Sequence, residues 1–545
     1  MKEMLRRFLP RIVLVVVFTM GVLAGAVGYP SEGQAGGQGL SIALKYSDLR
    51  SLDPHVGTTT PDRVIGDMVF NGLVRYKPGD VALDKMEPDL AESIPQPKIL
   101  PDGRQVWTFK LRHGVMFHPY KGNPAYELTS EDVVYSLKKA ADPKRSAYAG
   151  EYSGMTFEAV DKYTVKITLE KAISPALFLP KVADYSAGFI VSKRAVEGMG
   201  DTAFKTHPVG TGPFMFKDYK PMEQVVLVRN SDYFRGKPHL EEVRVKFMPD
   251  TSSREMGLRK GELDVIEGVR EQPWLDKVRK FPDTKVYIIG PGETIVPHFN
   301  MSKKPFDILE VRKAIAYALD RRKFVAFFGK EVSEPIYSFI PAKYLAGGLT
   351  KEEVAAAGLL YEFNIAKAKE LLAKAGYPKG FSVELFTSES ATYARSYELM
   401  QAQLREVGVD VKLSVVEHST FHSMIRKDLS PIAIYSCWRP NADVFLTRFF
   451  HSNSIVVTGK KPDTNFSHYN QIDDLIERAR VQADPAKQVE LWKEAQIKML
   501  KDMVAYPLII TKYVYAAKPY VEWGYELKST FALYPQITEK TRISK

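Results

Sequence analysis

Cysteine is nearly absent: Cys437 is the only one among 545 residues. No disulfide can form within the chain, so its stability has to come from buried apolar surface, and the length is ample for that. A second apolar run of membrane-spanning length is also missing beyond the N-terminal one. No Lys/Arg block with interleaved aromatics occurs, which argues against a nucleic-acid partner. The net charge is +11, but Lys2, Arg6, Arg7 and Arg11 against Glu3 supply +3 of it and leave only a diffuse +8. A G-x-S-x-G elbow is lacking, and Gly290-Pro291-Gly292 has neither the spacing nor the Lys-Ser/Thr of a phosphate loop. His418 and His422 stand four apart, the spacing of two metal ligands on a helix. However, Glu417-His418-Ser419-Thr420 reads as a helix start capped by Ser419, which places His418 outside the helix. No glutamate lies between them as a metalloprotease requires, and the ten histidines show no other ligand-spaced cluster. No catalytic residue, no metal site and no cofactor is expected, and an enzyme is not supported. Cys437 itself reads as a small buried hydrophobe in an apolar strand.

What is present begins with MKEMLRRFLPR, a basic segment, followed by an apolar run from Ile12 to Val27. Small residues follow, with Ala24-Gly25-Ala26 as a cleavage site and Ala35 as a later candidate. This pattern predicts a signal peptide over 1–26, or as far as 35, with an uncleaved anchor as the competing reading. No cysteine follows the apolar run, so the chain is not a lipoprotein by sequence. The mature protein is expected to be exported, soluble and periplasmic. At this length two or more domains are expected.

After a Gly-rich stretch from Gly33 to Gly39, Leu40–Lys45 reads as a strand. The loop LRSLDPHVGTTTPD carries Thr58-Thr59-Thr60, which favour a turn and a helix cap, and Asp62–Val74 has helical apolar spacing. Gln105–Leu111 and Thr164–Leu169 alternate as strands. Thr129 with Asp132 three residues on is a capping signal for an amphipathic helix. Gly290-Pro291-Gly292 is the clearest breaker cluster in mid-chain. Beyond it, strands Ile295–Met301, Ser382–Phe386 and Val411–Val416 alternate with helices Ile308–Leu319, Ile365–Ala375 and Arg395–Val407. Such alternation implies α/β layers with parallel pairing.

The stretch IYSCWRPNADVFLTRFF, from Ile434 to Phe450, runs as an apolar strand into an abrupt turn and then an amphipathic segment. A large aromatic, Trp438, a cation, Arg439, and an amide, Asn441, at a strand end suit a concave small-molecule site. An ordinary strand-to-helix turn with a core tryptophan is the plainer alternative.

Several blocks in order resemble the family-5 extracellular solute-binding proteins of ABC importers. They are LDPH (52–55), EPDLAES with WTFKLRHGVMFHP, LTSEDVVYSLKKA, HPVGTGPF (207–214), NSDYFRGKPHLEEVRVKF, VRKAIAYALDRRKFV (311–325) and NFSHYNQIDDLIERA. The resemblance implies a two-lobed α/β periplasmic-binding-protein fold of type II, with an inserted subdomain and a hinged ligand cleft. Lobe I would comprise 39–291 plus 512–545, with the insert at about 76–204, and lobe II 293–511. It also implies a monomer that captures a peptide or other small organic solute and delivers it to a permease and its ATPase. Peptide binders of this family carry a Trp-x-x-Asp motif whose aspartate pairs with the peptide ammonium. Here that place reads Trp438-Arg439-Pro440-Asn441, and Asn441 cannot neutralise a buried ammonium. Asp443 stands two residues on as a substitute. The position of the arginine that holds a dipeptide's carboxylate is Thr387 here. Thr58 and Thr59 complete the candidate set of ligand contacts. Dipeptide recognition is therefore doubtful, and a ligand without a free α-ammonium is expected. A sensor or chaperone of the same fold is the alternative reading, and an exported hydrolase the remote one.

Overall fold

The computed structural model describes residues 38–530 and 534–544, so the expected signal peptide lies outside the described residues. The first strand, Gly39–Leu44, is buried along most of its length. Its near-continuous apolar run suits a strand covered on both faces. It pairs in parallel with Glu242–Phe247 on one side and Val265–Glu267 on the other. The hairpin Phe214–Lys220 and Gln224–Arg229 extends the sheet beyond Glu242–Phe247. Tyr513–Ala517 and Lys285–Ile289 close the other edge, both antiparallel. The result is a seven-stranded mixed sheet.

A second sheet holds four antiparallel strands in the order Ser333–Pro335, Ile509–Thr511, Thr294–Phe299 and Ile432–Cys437. Beside it, Ser382–Ser388 and Asp410–Val416 form a two-stranded parallel pair. The expected parallel pairing therefore occurs in both halves, but most ladders are antiparallel, because local hairpins and the returning C-terminal strands supply them. The chain leaves the first sheet after Ile289, enters the second at Thr294, and returns between Thr511 and Tyr513. The two crossings touch: Thr511 N–H donates to the Glu293 carbonyl at 2.9 Å. A Cβ at Gly292 would stand 2.1 Å from the Thr511 carbonyl oxygen, and one at Gly290 2.5 Å from the Tyr344 hydroxyl. At Gly292 only glycine lets the two backbones approach so closely, and at Gly290 a side chain would collide with the Tyr344 ring. Two packed lobes joined by two adjacent crossings are the frame of a hinged cleft.

A third layer is inserted between Arg75 and Phe214. Its antiparallel sheet runs Lys98–Ile99, Gln105–Lys110, Thr164–Leu169, Met155–Asp161. Its core includes Trp107 stacked at 4.4 Å on Phe178. The covering helix, Ser130–Ala141, starts at the capping pair Thr129 and Asp132. At its far side the insert touches lobe II, where Ser174 Oγ donates to Gln488 Oε1 at 3.0 Å.

Two differences from the sequence reading have clear causes. Helix Ala391–Arg405 begins four residues earlier than the Arg395 start that apolar spacing suggests. Tyr393 and Tyr397 hold that first turn against the strand Ile432–Cys437, where Tyr397 Oη accepts from Ile434 N–H at 2.8 Å. The helix after Val416 spans His418–Arg426 and is capped by Glu417, not Ser419. The Glu417 carboxylate accepts from the Ser419 and Thr420 N–H groups, both at 2.9 Å. Both histidines consequently sit on one helix.

Lobe II also buries His298 among Phe449, Phe450 and Phe466, at ring distances of 5.4, 5.6 and 5.8 Å. Burial pushes its imidazole down to about 3. Unfolded, the same group takes up a proton near pH 6.5. The fold keeps it neutral, so stability is lost as pH falls from about 6.5 towards 3. His298→Leu should therefore flatten the pH dependence by up to one proton. Between pH 7.5 and 5 the stability gap between variant and native chain should move by about 2 kcal/mol in the variant's favour. Denaturant unfolding at the two pH values measures this, and parallel pH dependences would refute it.

Candidate functional site

Between the two sheets lies a cavity of about 510 Å³. A second crevice, between Asp67, Asn71, Arg75 and Asp89, measures about 20 Å³, room for a water rather than a solute.

Lobe I contributes Lys45 and Tyr46 from the end of the first strand, Arg254 from helix Thr251–Lys260, and Gly268 to Glu271 after the strand Val265–Glu267. The crossings contribute Glu293, Thr511 and Tyr513. Lobe II contributes Thr392, Tyr393 and Arg395 from the start of helix Ala391–Arg405, His418 and His422 from the next helix, and Tyr435 and Ser436 from the end of a sheet strand. Strand ends and helix starts of both lobes thus converge on one space, where a solute would touch both.

The charges in the cleft are mostly committed to one another. Arg270 Nη1 donates to Glu293 at 2.7 Å, and its guanidinium lies 4.0 Å over the Tyr513 ring. Burial pushes the Glu293 carboxyl up, but Arg270 outweighs it and holds the group below the ordinary carboxylate range. Glu271 is bonded to Arg395 across the cleft. Lys45 pairs with the buried Glu267 at 2.8 Å. Among the described residues Arg254 has no carboxylate in bonding distance, and its Nη2 donates to Thr251 Oγ1 at 3.2 Å. It donates to the carbonyls of Glu267 at 2.9 Å and Pro249 at 2.8 Å, and to that of Met248. The lining therefore carries four cations against two carboxylates, and neither carboxylate is free to receive an ammonium group.

The seven side chains singled out from the sequence are not among the residues lining this cavity. Thr59 caps helix Thr60–Val69, and its N–H, like that of Thr58, donates to Asp62. Their neighbour Thr60 is the one that reaches the cleft. Thr387 is buried, with its hydroxyl unpartnered. Asn441 caps helix Ala442–Phe450, accepting from Val444 N–H at 3.0 Å. Asp443 pairs with Arg480 at 3.0 Å, and burial raises its pKa nonetheless. Arg439 lies 5.2 Å over the Phe449 ring, with Nη1 on the Trp438 carbonyl. Trp438 is half-buried between Tyr344 and Phe445, at ring distances of 6.4 and 5.9 Å. Tyr344 is the side chain that packs on Gly290, so the tryptophan backs the crossing. Trp438→Ala should cost about 3 kcal/mol of stability, as for truncation of a packed aromatic. A variant with native melting temperature and abolished binding would instead place the ring on the solute.

Arg270, Glu293, Arg395 and the Tyr393/His418/His422 group were not legible as a site. Their one local signal is that Arg270 and Glu293 flank chain breaks, one after a strand end and one after Gly290-Pro291-Gly292.

Residues 85–456 match the family described as bacterial extracellular solute-binding proteins, family 5 Middle. The chain belongs to that family. Family-5 proteins capture solutes for ABC importers, and this chain is such a component. The solved structure of MoaA from A. tumefaciens R10, in complex with mannopinic acid, is 38% identical. It matches 93% of this chain and 100% of its own with a TM-score of 0.79. Heme-binding protein A of Haemophilus influenzae is 28% identical over 79% of each chain. The dipeptide-binding protein of Escherichia coli is 27% identical over 79% of this chain and 81% of its own. The family is one of binding proteins, and no helix among the described residues is long and apolar enough to cross a membrane.

Proposed function

We propose that this family-5 protein captures a hydroxylated organic acid of the opine type, rather than a dipeptide, in the cleft between its lobes. The observation that carries this is the charge arrangement of the lining: Lys45, Arg254, Arg270 and Arg395 against only Glu271 and Glu293, both already bonded to arginine. A dipeptide is a zwitterion without net charge, whereas an N-substituted glutamate carries two carboxylates against one ammonium and so complements a lining with an excess of cations. Arg254, buried and bonded to three carbonyls and the Thr251 hydroxyl, adds uncompensated positive charge behind that wall, which favours an acidic solute. The hydroxyls of Thr60, Thr251, Ser390, Thr392 and Ser436 supply donors and acceptors for an alcohol-rich body. MoaA, whose structure holds mannopinic acid, is also the more similar protein when set beside the dipeptide-binding relative.

The reading includes export by the N-terminal signal peptide and action as a monomeric periplasmic binding protein without catalysis. Closure follows from differential contact: the solute bonds both lobes only when they meet, so binding shifts the population to the closed form. Titration calorimetry against mannopinic acid and a set of dipeptides tests the proposal. Heat with the acid and none with the dipeptides is expected. Tight, sequence-tolerant dipeptide binding would overturn it.

A further inference from the structure

The cleft has two chemically different walls. Three of its four cations, Lys45, Arg254 and Arg270, stand on lobe I, and only Arg395 stands on lobe II, where it reaches across to Glu271. The facing wall on lobe II is built of rings. His418 and His422 meet edge to face at 4.6 Å. Tyr393 packs on both, at 5.5 and 5.6 Å, and Tyr435 on His422 at 5.6 Å. The tyrosine hydroxyls are engaged within the protein. Tyr393 Oη accepts from Ser436 N–H at 3.2 Å and Tyr435 Oη from an Arg426 Nη at 3.0 Å. The imidazoles are differently placed. His418 Nδ1 is bonded to Ser388 Oγ at 2.8 Å, which fixes the ring and leaves Nε2 as its other hydrogen-bonding atom. His422 Nδ1 is buried without a partner.

Resting on the reading of a hydroxylated acid, we infer that the solute lies in one orientation. Its acid end meets Arg270 and Lys45 of lobe I, backed by the buried Arg254, and its hydroxylated end meets His418 and His422 of lobe II. The two imidazoles are then the residues that select for hydroxyl groups. Burial, with the neighbouring His418 and Arg426, lowers His422 to about 4, so the ring is neutral near pH 7. With Nδ1 of His418 on Ser388 and Nδ1 of His422 buried, Nε2 of each ring is the atom left to bond a hydroxyl, which can donate or accept, and the neutral His422 ring holds no charge that would attract the acid end. The two tyrosine rings supply flat apolar surface for the C–H groups between hydroxyls. A site built to hydrogen-bond hydroxyls rejects the analogue that lacks them, because its own polar groups are left unpaired.

The test compares mannopinic acid with N-hexylglutamate, which keeps the acid end and replaces the polyol by an alkyl chain. Calorimetry on the full chain should show the native protein preferring mannopinic acid by about a hundredfold or more. His418→Phe and His422→Phe, each checked by melting temperature, should each reduce that ratio at least about tenfold. If a phenylalanine variant does not fold, His422→Asn takes its place and should retain part of the ratio. Arg270→Gln should weaken both ligands in parallel and leave the ratio standing. An unchanged ratio in the histidine variants, or a ratio lost in Arg270→Gln alone, overturns the orientation while acid binding stands. Native protein that binds neither compound overturns the hydroxylated-acid reading and this inference with it.

Discussion

Arg270→Gln will weaken binding of an acidic solute by about 3 kcal/mol, roughly a hundredfold in Kd. The effect has two parts. The variant loses the one cleft guanidinium that joins lobe I to the crossing, where it spans from Glu293 at 2.7 Å to the Tyr513 ring at 4.0 Å. It also uncovers the Glu293 carboxylate, which then repels the acid from inside the cleft. Removing one member of a close charge pair leaves the other unpaired, and that residue dominates the measured loss. Arg270→Gln with Glu293→Gln should therefore bind better than Arg270→Gln alone, although worse than the native chain. Calorimetry with mannopinic acid reads both. Equal affinity of the native and single-variant chains would show that the cation plays no part in binding.

The largest expected stability effect lies at a pair that does not line the cleft. Lys139 and Asp53 form an ion pair of 2.7 Å with side chains 0% and 1% exposed. Asp53 belongs to the LDPH segment of lobe I, and Lys139 to the helix Ser130–Ala141 of the insert, so the pair fastens one layer to the other. The fastening is reinforced by His55, whose Nε2 bonds the Phe189 carbonyl at 3.0 Å and whose own carbonyl accepts from Ala147 N–H at 2.9 Å. Lys139→Met removes one charge and strands the other where it is closed off from solvent, at a cost of about 3–5 kcal/mol. Asp53→Asn together with Lys139→Met should recover much of that loss, since no uncompensated charge remains. Scanning calorimetry measures both, and a single variant that melts with the native chain would refute the argument.

The sequence carried the local elements because their signals are local. The alternation of Thr164–Leu169 gives a strand with the same bounds, and the Thr129/Asp132 capping pair marks the helix start to the residue. The break at Gly290-Pro291-Gly292 falls where the chain leaves one sheet for the other. Where a partner distant in sequence decides, the reading fell short. Helix Ala391–Arg405 starts early because Tyr393 and Tyr397 are held by the strand at 432–437. Helix His418–Arg426 takes both histidines because the Glu417 carboxylate competes successfully with Ser419 for the first N–H groups.

The same division applies to the site. Order of motifs along the chain determined the family and its two-lobed architecture, and the glycine–proline cluster marked where the chain changes sheet, because each rests on patterns within a few residues. The uncharged residues at 441 and 387 do not bear on the solute in the same way, since neither side chain lines the cavity. Only the tertiary structure decided which side chains face the solute. Arg270 and Glu293 are 23 residues apart and meet across a sheet crossing, and Glu271 meets Arg395 over a separation of 124 residues. No periodicity encodes such pairs, since they depend on where two separately folded lobes bring their strand ends together.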